Sequence, residues 1–296
     1  MKGGTMGNCN KTINPDYWVE GYEEYIASIS YGKDSLAMLE LLHVFGYPLT
    51  RIVTVDVMAT ENLSAYHTEV DQFKKQADDI IFERYGIQVE HIKSEHTYDE
   101  TFHRIRQPGK RTKPENVGKI YGFPMVMGAW CNRDLKMNPI NSYKQKNQFW
   151  YIGYAIDEKK PQRQEKIKNC YDLRMYPLCN HGIRERDCIR ICKGLNLLSP
   201  TYTTSLRDGC WFCHNQSLEQ LRLLRKEHPE KWEMLLKWDL ESPVKFRPKE
   251  TVHDLEIRFQ LEESYLSQGK SITDRVFYND LKTHIKKGIG AYVIQK

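Results

Sequence analysis

The chain has 296 residues, of which 40% are hydrophobic and 28% charged, and its formal net charge is +5. This composition is typical of a folded globular protein and excludes disordered, collagen-like and low-complexity chains. No apolar run reaches the ~18 residues of a membrane span, and the N-terminal segment lacks the apolar core of a secretory signal, so we expect a cytoplasmic protein. In that setting the eight cysteines indicate metal or redox chemistry rather than a disulfide framework.

Short apolar strands alternate with amphipathic helices through the first half of the chain. The first predicted strand covers residues 25–30 and leads through Gly32 into a helix that Gly46 and Pro48 stop. The later predicted elements are a strand at 51–56, a helix from about 64 to 85, and strands at 87–92 and 149–153. This alternation predicts an α/β fold with a parallel twisted sheet and helices on both faces.

The positive charge is concentrated between residues 104 and 168. This block holds fifteen Lys and Arg against five Asp and Glu, whereas the rest of the chain carries a net charge of −5. Within the block, residues 107–122 show no periodicity and predict a long loop with a functional role. Such a block suits a phosphate-bearing partner, which is either a nucleotide or a nucleic acid. A solvated basic face without a partner is the alternative.

The sequence changes character after Pro177. Cysteines cluster between residues 179 and 213, and a helical pattern follows them. Helix starts are predicted at Ser217, Pro229 and Ser271. We therefore predict two domains: an α/β domain over residues 1–178, and a Cys-rich metal segment with a helical C-terminal region over residues 179–296.

The strongest local signal is the segment Ser30-Tyr31-Gly32-Lys33-Asp34-Ser35, between the first strand and its helix. Backbone N–H groups at a helix start have no partner within the helix, and the helix dipole favours an anion there. Gly32 lets the backbone approach a phosphate, Lys33 adds a positive charge, and the two serine hydroxyls add donors. The spacing differs from that of the G-x-x-x-x-G-K-[ST] loop. The alternative is a simple turn, with Asp34 or Ser35 capping the helix.

This hexapeptide resembles the PP-loop, the pyrophosphate-binding loop of N-type ATP pyrophosphatases and of phosphoadenosine phosphosulfate (PAPS) reductases. Four further segments are similar to segments of that family and occur in the same order. They are Asp56 with Thr60–Asn62, Trp130–Lys136, Tyr151–Glu158 with Arg163, and Tyr176–Leu178 with Arg207–Cys213. Together they extend the resemblance from residue 25 to about residue 215.

The resemblance implies an adenine nucleotide α-hydrolase-like fold and an enzyme that binds ATP and Mg²⁺, adenylates a substrate and releases pyrophosphate. It implies catalytic roles for Lys33, Asp34, Asp56 and Arg163, with Asp34 or Asp56 on magnesium. The implied nucleotide-binding residues are Ser30, Tyr31, Gly32, Lys33, Asp34, Ser35, Glu61, Lys136, Gly153, Asp157 and Glu158. For Asp157 and Glu158, solvated loop carboxylates are the alternative.

The cysteine spacing predicts a metal site. Cys210 and Cys213 form a C-x-x-C pair, which places two thiolates on one metal. With Cys131 and Cys192 they resemble the four-cysteine iron–sulfur set of the ATP-pyrophosphatase subunit of DNA phosphorothioation systems. On this resemblance we favour a 4Fe–4S cluster, and tetrahedral zinc is the alternative.

Other cysteines compete for these roles. Cys188 lies one helical turn before Cys192 and is an alternative ligand, while Cys179 with His181 is a rival ligand pair. If they bind no metal, we expect Cys9, Cys170 and Cys188 to be small buried hydrophobic residues.

Three functions remain open at this point. The first is an ATP pyrophosphatase acting in sulfur transfer or nucleic-acid modification, with a nucleic acid or a nucleotide as substrate and with a sulfur donor or partner subunit. The second is a sulfonucleotide reductase; it is disfavoured because no cysteine follows Cys213 and no two cysteines are adjacent. The third is a non-catalytic nucleotide-binding subunit, which has less need of a magnesium-side carboxylate such as Asp56.

Overall fold

The computed structural model describes residues 14–110, 112–124, 129–168, 176–203 and 209–293. These residues form two compact units, each assembled from three segments. Unit 1 takes its described residues from 1–56, 66–94 and 138–208, and unit 2 takes them from 57–65, 95–137 and 209–296. The boundary after residue 178 stays a prediction.

The strands of the described residues are short and lie before residue 153. In the described residues they are β1 (Glu24–Ile29), β2 (Arg51–Asp56), β3 (Met58–Thr60), β4 (Leu63–Ser64), β5 (Val89–Lys93) and β6 (Gln148–Ile152). The α-helices are α1 (Lys33–Val44), α2 (Thr68–Tyr85), α3 (Tyr98–His103), α4 (Trp130–Asn132), α5 (Asn138–Tyr143), α6 (Pro161–Lys168), α7 (Pro177–Asn180), α8 (Glu185–Gly194), α9 (Leu218–Glu227), α10 (Pro229–Glu241), α11 (Val252–Ser267) and α12 (Arg275–Val293). In the part of the chain that is described, no helix has the length and apolarity to span a bilayer.

Unit 1 contains a four-stranded parallel sheet with the strand order β5-β2-β1-β6. Alternate residues of β1 point to opposite faces. Tyr25 and Ala27 join a core with residues of α1, α2 and α8, whereas Ile26 packs with Trp150 of β6 and Ile140 of α5. The central strands β1 and β2 and the strand β6 are mostly buried and apolar, as parallel strands covered on both faces are, whereas the edge strand β5 is polar and has no buried residue. The predicted parallel sheet with flanking helices is confirmed.

The start predicted for the long helix near residue 64 is wrong by four residues, because α2 begins at Thr68. The preceding backbone is used in an antiparallel hairpin of β3 and β4, in which Thr60 pairs with Leu63. The N–H of Ala65 donates to the carbonyl of Val57 at 3.0 Å, which closes this hairpin in unit 2. These amides are therefore engaged in strand pairing, and the helix starts after them.

Unit 2 is mainly helical around an aromatic core. Tyr98 and Phe102 of α3 pack with Trp238 of α10, and Trp211 stacks on Trp238 with ring centroids 5.6 Å apart. The predicted helix starts at Ser217 and Pro229 are confirmed, the first by a capping box with Gln220. The last helix begins at Arg275, four residues after Ser271, and the Asp274 carboxylate accepts the N–H of Phe277 at 2.8 Å.

Candidate functional site

The loop between β1 and α1 is closed by its own serine. The Ser35 hydroxyl accepts the N–H of Ser30 at 3.1 Å and donates to the carbonyl of Gly32 at 2.9 Å. The residue that precedes α1 is Gly32, which has no side chain to cap the helix, so the predicted cap by Asp34 or Ser35 is wrong. The twelve-residue helix thus begins inside the hexapeptide without a cap from the residue before it. The N–H of Lys33 donates to the Tyr202 hydroxyl at 3.3 Å, so an anion bound at this helix start would replace that hydroxyl as acceptor.

Gly153, directly after β6, lies against the backbone of this loop. A Cβ at this position would lie 2.8 Å from the carbonyl oxygen of Asp34 and 2.9 Å from the Cα of Ser35. Both contacts are with backbone atoms, which cannot rotate away. Only glycine fits here, and the end of β6 therefore supports the loop directly.

Lys33 is buried, with 7% of its surface exposed, and its ammonium group is paired with carboxylates. Its Nζ lies 2.8 Å from Asp34 Oδ1 and 3.3 Å from Glu185 Oε2. Burial lowers the pKa of Lys33, but the hydrogen bond and charge of Asp34 and the charge of Glu185 outweigh it and raise that pKa overall. The lysine is thus charged and held in place at the start of α1, where a phosphate would exchange for a carboxylate partner.

Asp56, at the end of β2, belongs to a hydrogen-bonded network with His91 of β5. The Asp56 Oδ2 lies 2.9 Å from His91 Nδ1, and the other ring nitrogen lies 3.1 Å from Asp78 Oδ2. Burial favours the neutral form of Asp56, yet His91 holds the pKa of this carboxyl below its ordinary value. The two carboxylates in turn raise the pKa of His91 to about 9. Asp56 is therefore an oriented carboxylate that stays ionised at neutral pH.

Asp157, Glu158 and Arg163 have local partners in unit 1. The Asp157 carboxylate accepts the N–H of Glu185 at 2.9 Å, which caps the start of α8. Glu158 is buried and accepts from Arg163 Nη1 at 2.5 Å, and this contact helps to hold the pKa of Glu158 below its ordinary value despite burial. The Arg163 guanidinium also lies 5.0 Å from the ring centre of Tyr154. Their roles toward a nucleotide stay predictions.

Two other residues of the predicted set lie in unit 2. Glu61 is exposed in the turn of the β3–β4 hairpin. Lys136 lies in the π-helical turn Arg133–Met137, near Cys131, whose thiolate form it favours. Their predicted contacts with ATP are likewise untested.

Three of the four predicted metal ligands lie in unit 2. Cys210 and Cys213 form a tight turn, in which the N–H of Cys213 donates to the carbonyl of Cys210 at 3.0 Å. Burial raises the pKa of the Cys131 thiol to about 12, and the nearby charges of Cys210 and Cys213 add to this effect. The three sulfur atoms are thus close enough to interact electrostatically. Among the described residues, no three His, Cys, Asp or Glu side chains are grouped so as to hold a metal ion.

Tyr98 is a residue of this thiol cluster that the sequence did not reveal. Its side chain is fully buried, and its ring centroid lies 4.0 Å from that of Phe212. Its hydroxyl has no hydrogen-bond partner among the described residues. Burial raises the pKa of Tyr98 well above its ordinary value, and negative charge on Cys131, Cys210 or Cys213 in the thiolate form would raise it further. A buried hydroxyl without an acceptor is costly, and thiolate or sulfide sulfur would supply one.

Cys192, the fourth predicted ligand, lies in unit 1. Its side chain is fully buried, and its Sγ donates to the carbonyl of Lys33 at 3.2 Å. Cys188 is also fully buried and bonds to the Asp34 side chain, so both thiols of α8 lie under the start of α1. A metal-binding role for either thiol stays a prediction.

The rival ligand pair has other contacts in unit 1. Cys179 Sγ donates to the carbonyl of Tyr154 at 3.1 Å, and His181 Nε2 lies 3.1 Å from the hydroxyl of Tyr47. Cys9 and Cys170 lie outside the described residues.

Arg106, one cation of the basic block, forms hydrogen bonds within its own loop in unit 2. The Arg106 guanidinium donates to the carbonyls of Ile120 and Tyr121 at 3.2 and 2.7 Å, which closes the predicted loop at its base. In contrast, three lysines of the loop are exposed. They are Lys110, Lys113 and Lys119.

No protein-family model matches the chain, and no curated protein matches it at a significant level. Among solved structures, the chain is similar to the U34-tRNA thiolase NcsA from Methanococcus maripaludis, solved with its [4Fe-4S] cluster. The similarity covers 74% of this chain and 71% of the thiolase chain, at 17% sequence identity and a TM-score of 0.34.

Proposed function

We propose that this protein is a PP-loop ATP pyrophosphatase, which adenylates a substrate and releases pyrophosphate. The observation that carries the proposal is the start of α1. A helix N-terminus that its preceding residue Gly32 does not cap, a buried charged lysine and the close approach of Gly153 occur together there. A loop that is supported from two strands presents its amides in a fixed position. Fixed donors stabilise phosphate charge without reorganisation during the reaction.

In this proposal Lys33 and the first amides of α1 hold the β- and γ-phosphates of ATP. Asp56, kept ionised by His91, supplies a carboxylate for magnesium, which binds through few carboxylates and phosphate oxygens. The chemistry is attack of a substrate oxygen on the α-phosphorus, so the new bond forms as the bond to pyrophosphate breaks. Positioning of the reactants and neutralisation of phosphate charge accelerate such a step, and no nucleophile of the protein is needed.

The substrate we propose is a nucleic acid or a nucleotide, and the pathway is sulfur transfer or nucleic-acid modification. The exposed lysines of the loop in unit 2 support a polyanionic substrate, since exposed cations attract phosphate. The proposal also places the protein in the cytoplasm.

The three thiols of unit 2 support an iron–sulfur cluster. Thiolate sulfur is the ligand that both iron–sulfur clusters and zinc select. Among the residues that the structure describes, the buried Tyr98 hydroxyl has no acceptor, and such a group would bring one. Cys131, Cys210 and Cys213 would hold the group, which would supply iron-bound sulfur chemistry. Cys192 remains the predicted fourth ligand, and retention of metal by Cys192→Ser would remove it from the set.

Pyrophosphate release tests the proposal. Lys33→Ala removes the charge at the loop, and we expect release from ATP to fall at least ~100-fold, because one preorganised donor contributes 10²–10³ to such rates. Lys75→Ala is the matched control, since Lys75 is an exposed lysine of α2 in the same unit. Undiminished release in a folded Lys33→Ala protein would reject the assignment of the loop.

A further inference from the structure

Tyr31 of the candidate phosphate loop has a backbone conformation that is unusual for its side chain. Its φ angle is +55°, in the left-handed region, where a bulky side chain is strained. The other non-glycine residue with positive φ in the described chain is Asn196, a type that tolerates this region. A strained residue persists only where its surroundings hold it, and such residues concentrate at functional sites.

The surroundings of Tyr31 hold it through its hydroxyl. The side chain is fully buried, and the hydroxyl donates to Asp78 Oδ1 on α2 at 2.5 Å. The Tyr31 hydroxyl oxygen also lies 3.3 Å from His91 Nε2, and that ring nitrogen lies 3.1 Å from Asp78 Oδ2. The turn at Tyr31 is therefore fixed by groups from two other elements, α2 and β5.

The network continues to Asp56. His91 Nδ1 lies 2.9 Å from Asp56 Oδ2, at the end of β2. One set of hydrogen bonds thus joins the loop after β1 with the carboxylate after β2. These are the two places where the proposed function puts the phosphates and the magnesium ion.

We propose that Tyr31 is a positioning residue of this site. Its hydroxyl holds the left-handed turn that sets the direction of the first amides of α1, and through Asp78 and His91 it fixes the Asp56 carboxylate relative to them. The inference rests on the proposed function of the loop. A purely structural anchor would need only a buried ring, whereas this network ends on a carboxylate that is partly exposed, with 24% of its side-chain surface accessible.

Tyr31→Phe tests the inference, because it keeps the ring and removes only the hydroxyl. We expect the Kd for MgATP, measured by isothermal titration calorimetry, to rise roughly tenfold, the effect of losing one hydrogen bond to a charged group. The KM for ATP in pyrophosphate release should rise by a similar factor. Tyr85→Phe is the matched control, since the Tyr85 hydroxyl also bonds to a carboxylate, Glu40 Oε2 at 3.1 Å; it should leave the Kd unchanged.

Two variants of Asp78 separate positioning from stability. Asp78→Asn keeps an acceptor for the Tyr31 hydroxyl and should bind MgATP within about threefold of the wild type, whereas Asp78→Leu should resemble Tyr31→Phe. These variants also decide the matter if Tyr31→Phe fails to fold.

An unchanged Kd and KM in Tyr31→Phe, with or without a lower Tm, would overturn the inference. Tyr31 would then only stabilise the fold. Equal binding by Asp78→Asn and Asp78→Leu would overturn it as well. Failure of the wild-type protein to bind MgATP and release pyrophosphate is a different result: it would reject the proposed function, and the inference would fall with it.

Discussion

In unit 1 the charged groups around the β1–α1 loop are paired with one another, whereas in unit 2 the thiols lie among aromatic rings. Lys33 contacts two carboxylates, and Asp56 is hydrogen-bonded to His91. Around the thiols, Tyr98 packs on Trp130 with ring centroids 4.9 Å apart, and in the described part of the chain its hydroxyl has no hydrogen-bond partner.

This difference predicts how much each candidate site would have to reorganise when a ligand binds. In the proposed function, ATP would exchange one charged partner of Lys33 for another, so the site in unit 1 would be formed beforehand and binding would cost little reorganisation. The proposed metal group in unit 2 would bring the acceptor that the Tyr98 hydroxyl lacks among the described residues, so metal binding and stability would be linked there.

The largest expected effect is the loss of metal from unit 2. Cys131→Ser, Cys210→Ser and Cys213→Ser should each abolish metal binding and lower the Tm by roughly 5 °C or more, because metal-binding energy becomes folding energy. Metal analysis and thermal unfolding of anaerobically purified protein measure both effects. Cys9→Ser and Cys170→Ser are the controls and should change neither.

The spectrum of the same protein decides the kind of metal. Broad absorption near ~400 nm indicates an iron–sulfur cluster, and a colourless protein with zinc would reverse that choice. Full metal content in Cys131→Ser would contradict the assignment of these thiols as metal ligands. Cys188 or the Cys179–His181 pair would then be the next candidate ligands.

A preformed site in unit 1 should be sensitive to small backbone shifts. Gly153→Ala places a Cβ 2.8 Å from the Asp34 carbonyl oxygen, and we expect a loss of about 2 kcal/mol in the free energy of unfolding together with weaker MgATP binding. Urea unfolding and calorimetry measure the two effects. Gly194→Ala is the control, because a Cβ there meets no atom within 4 Å. A stable Gly153→Ala protein with normal MgATP affinity would show that the loop tolerates movement.

Parts of the fold and of the two candidate sites could be predicted from the sequence, and other parts could not. Strand β2 was predicted to the residue, because a short apolar run bounded by polar residues has few alternatives. The hexapeptide and the C-x-x-C pair were found because their residues are adjacent in the chain. His91, Asp78 and Tyr98 lie on a strand or helix with ordinary spacing, and the topology brings them to the sites. The β3–β4 hairpin was missed because its strands have only three and two residues, too few for an alternating pattern.

The exposed lysines of unit 2 should contribute a smaller, salt-dependent effect. Replacing Lys110, Lys113 and Lys119 by Gln should weaken binding to single-stranded nucleic acid and flatten the slope of log K against log salt, by about one unit for each phosphate that is no longer neutralised. Fluorescence anisotropy at several salt concentrations measures the slope.

The matched control for this triple variant changes the same charge elsewhere in unit 2. It replaces the exposed lysines Lys237, Lys245 and Lys249 by Gln. Equal slopes in the two triple variants, or no binding of nucleic acid at low salt, would favour a small-molecule substrate.

The smallest expected effect is a pH dependence from His103 in unit 2. Burial lowers the pKa of His103, but its bonds to Glu241 Oε2 at 2.6 Å and to the Asp99 carbonyl at 2.9 Å raise that pKa overall. This stabilisation is therefore complete below pH ~6.5 and is lost as the pH rises through the raised folded value. His103→Gln should remove it, an effect below ~1 kcal/mol because the pair is solvent-screened.

Urea unfolding between pH 5 and 9, roughly the range of histidine titration, measures this effect. His284→Gln is the control, since the His284 ring bonds to the backbone carbonyl of Asp280 at 2.8 Å. Parallel pH profiles for wild type and His103→Gln would show that the pair contributes nothing.

The central claim, that the β1–α1 loop holds the phosphates of ATP, is tested most directly by hydrogen–deuterium exchange with and without MgATP. Bound phosphates accept the first amides of α1, so exchange should slow in residues 30–36 and in the Gly153 segment, and Lys33→Ala should abolish this protection. Protection confined to other segments, or no protection at saturating MgATP, would contradict the claim.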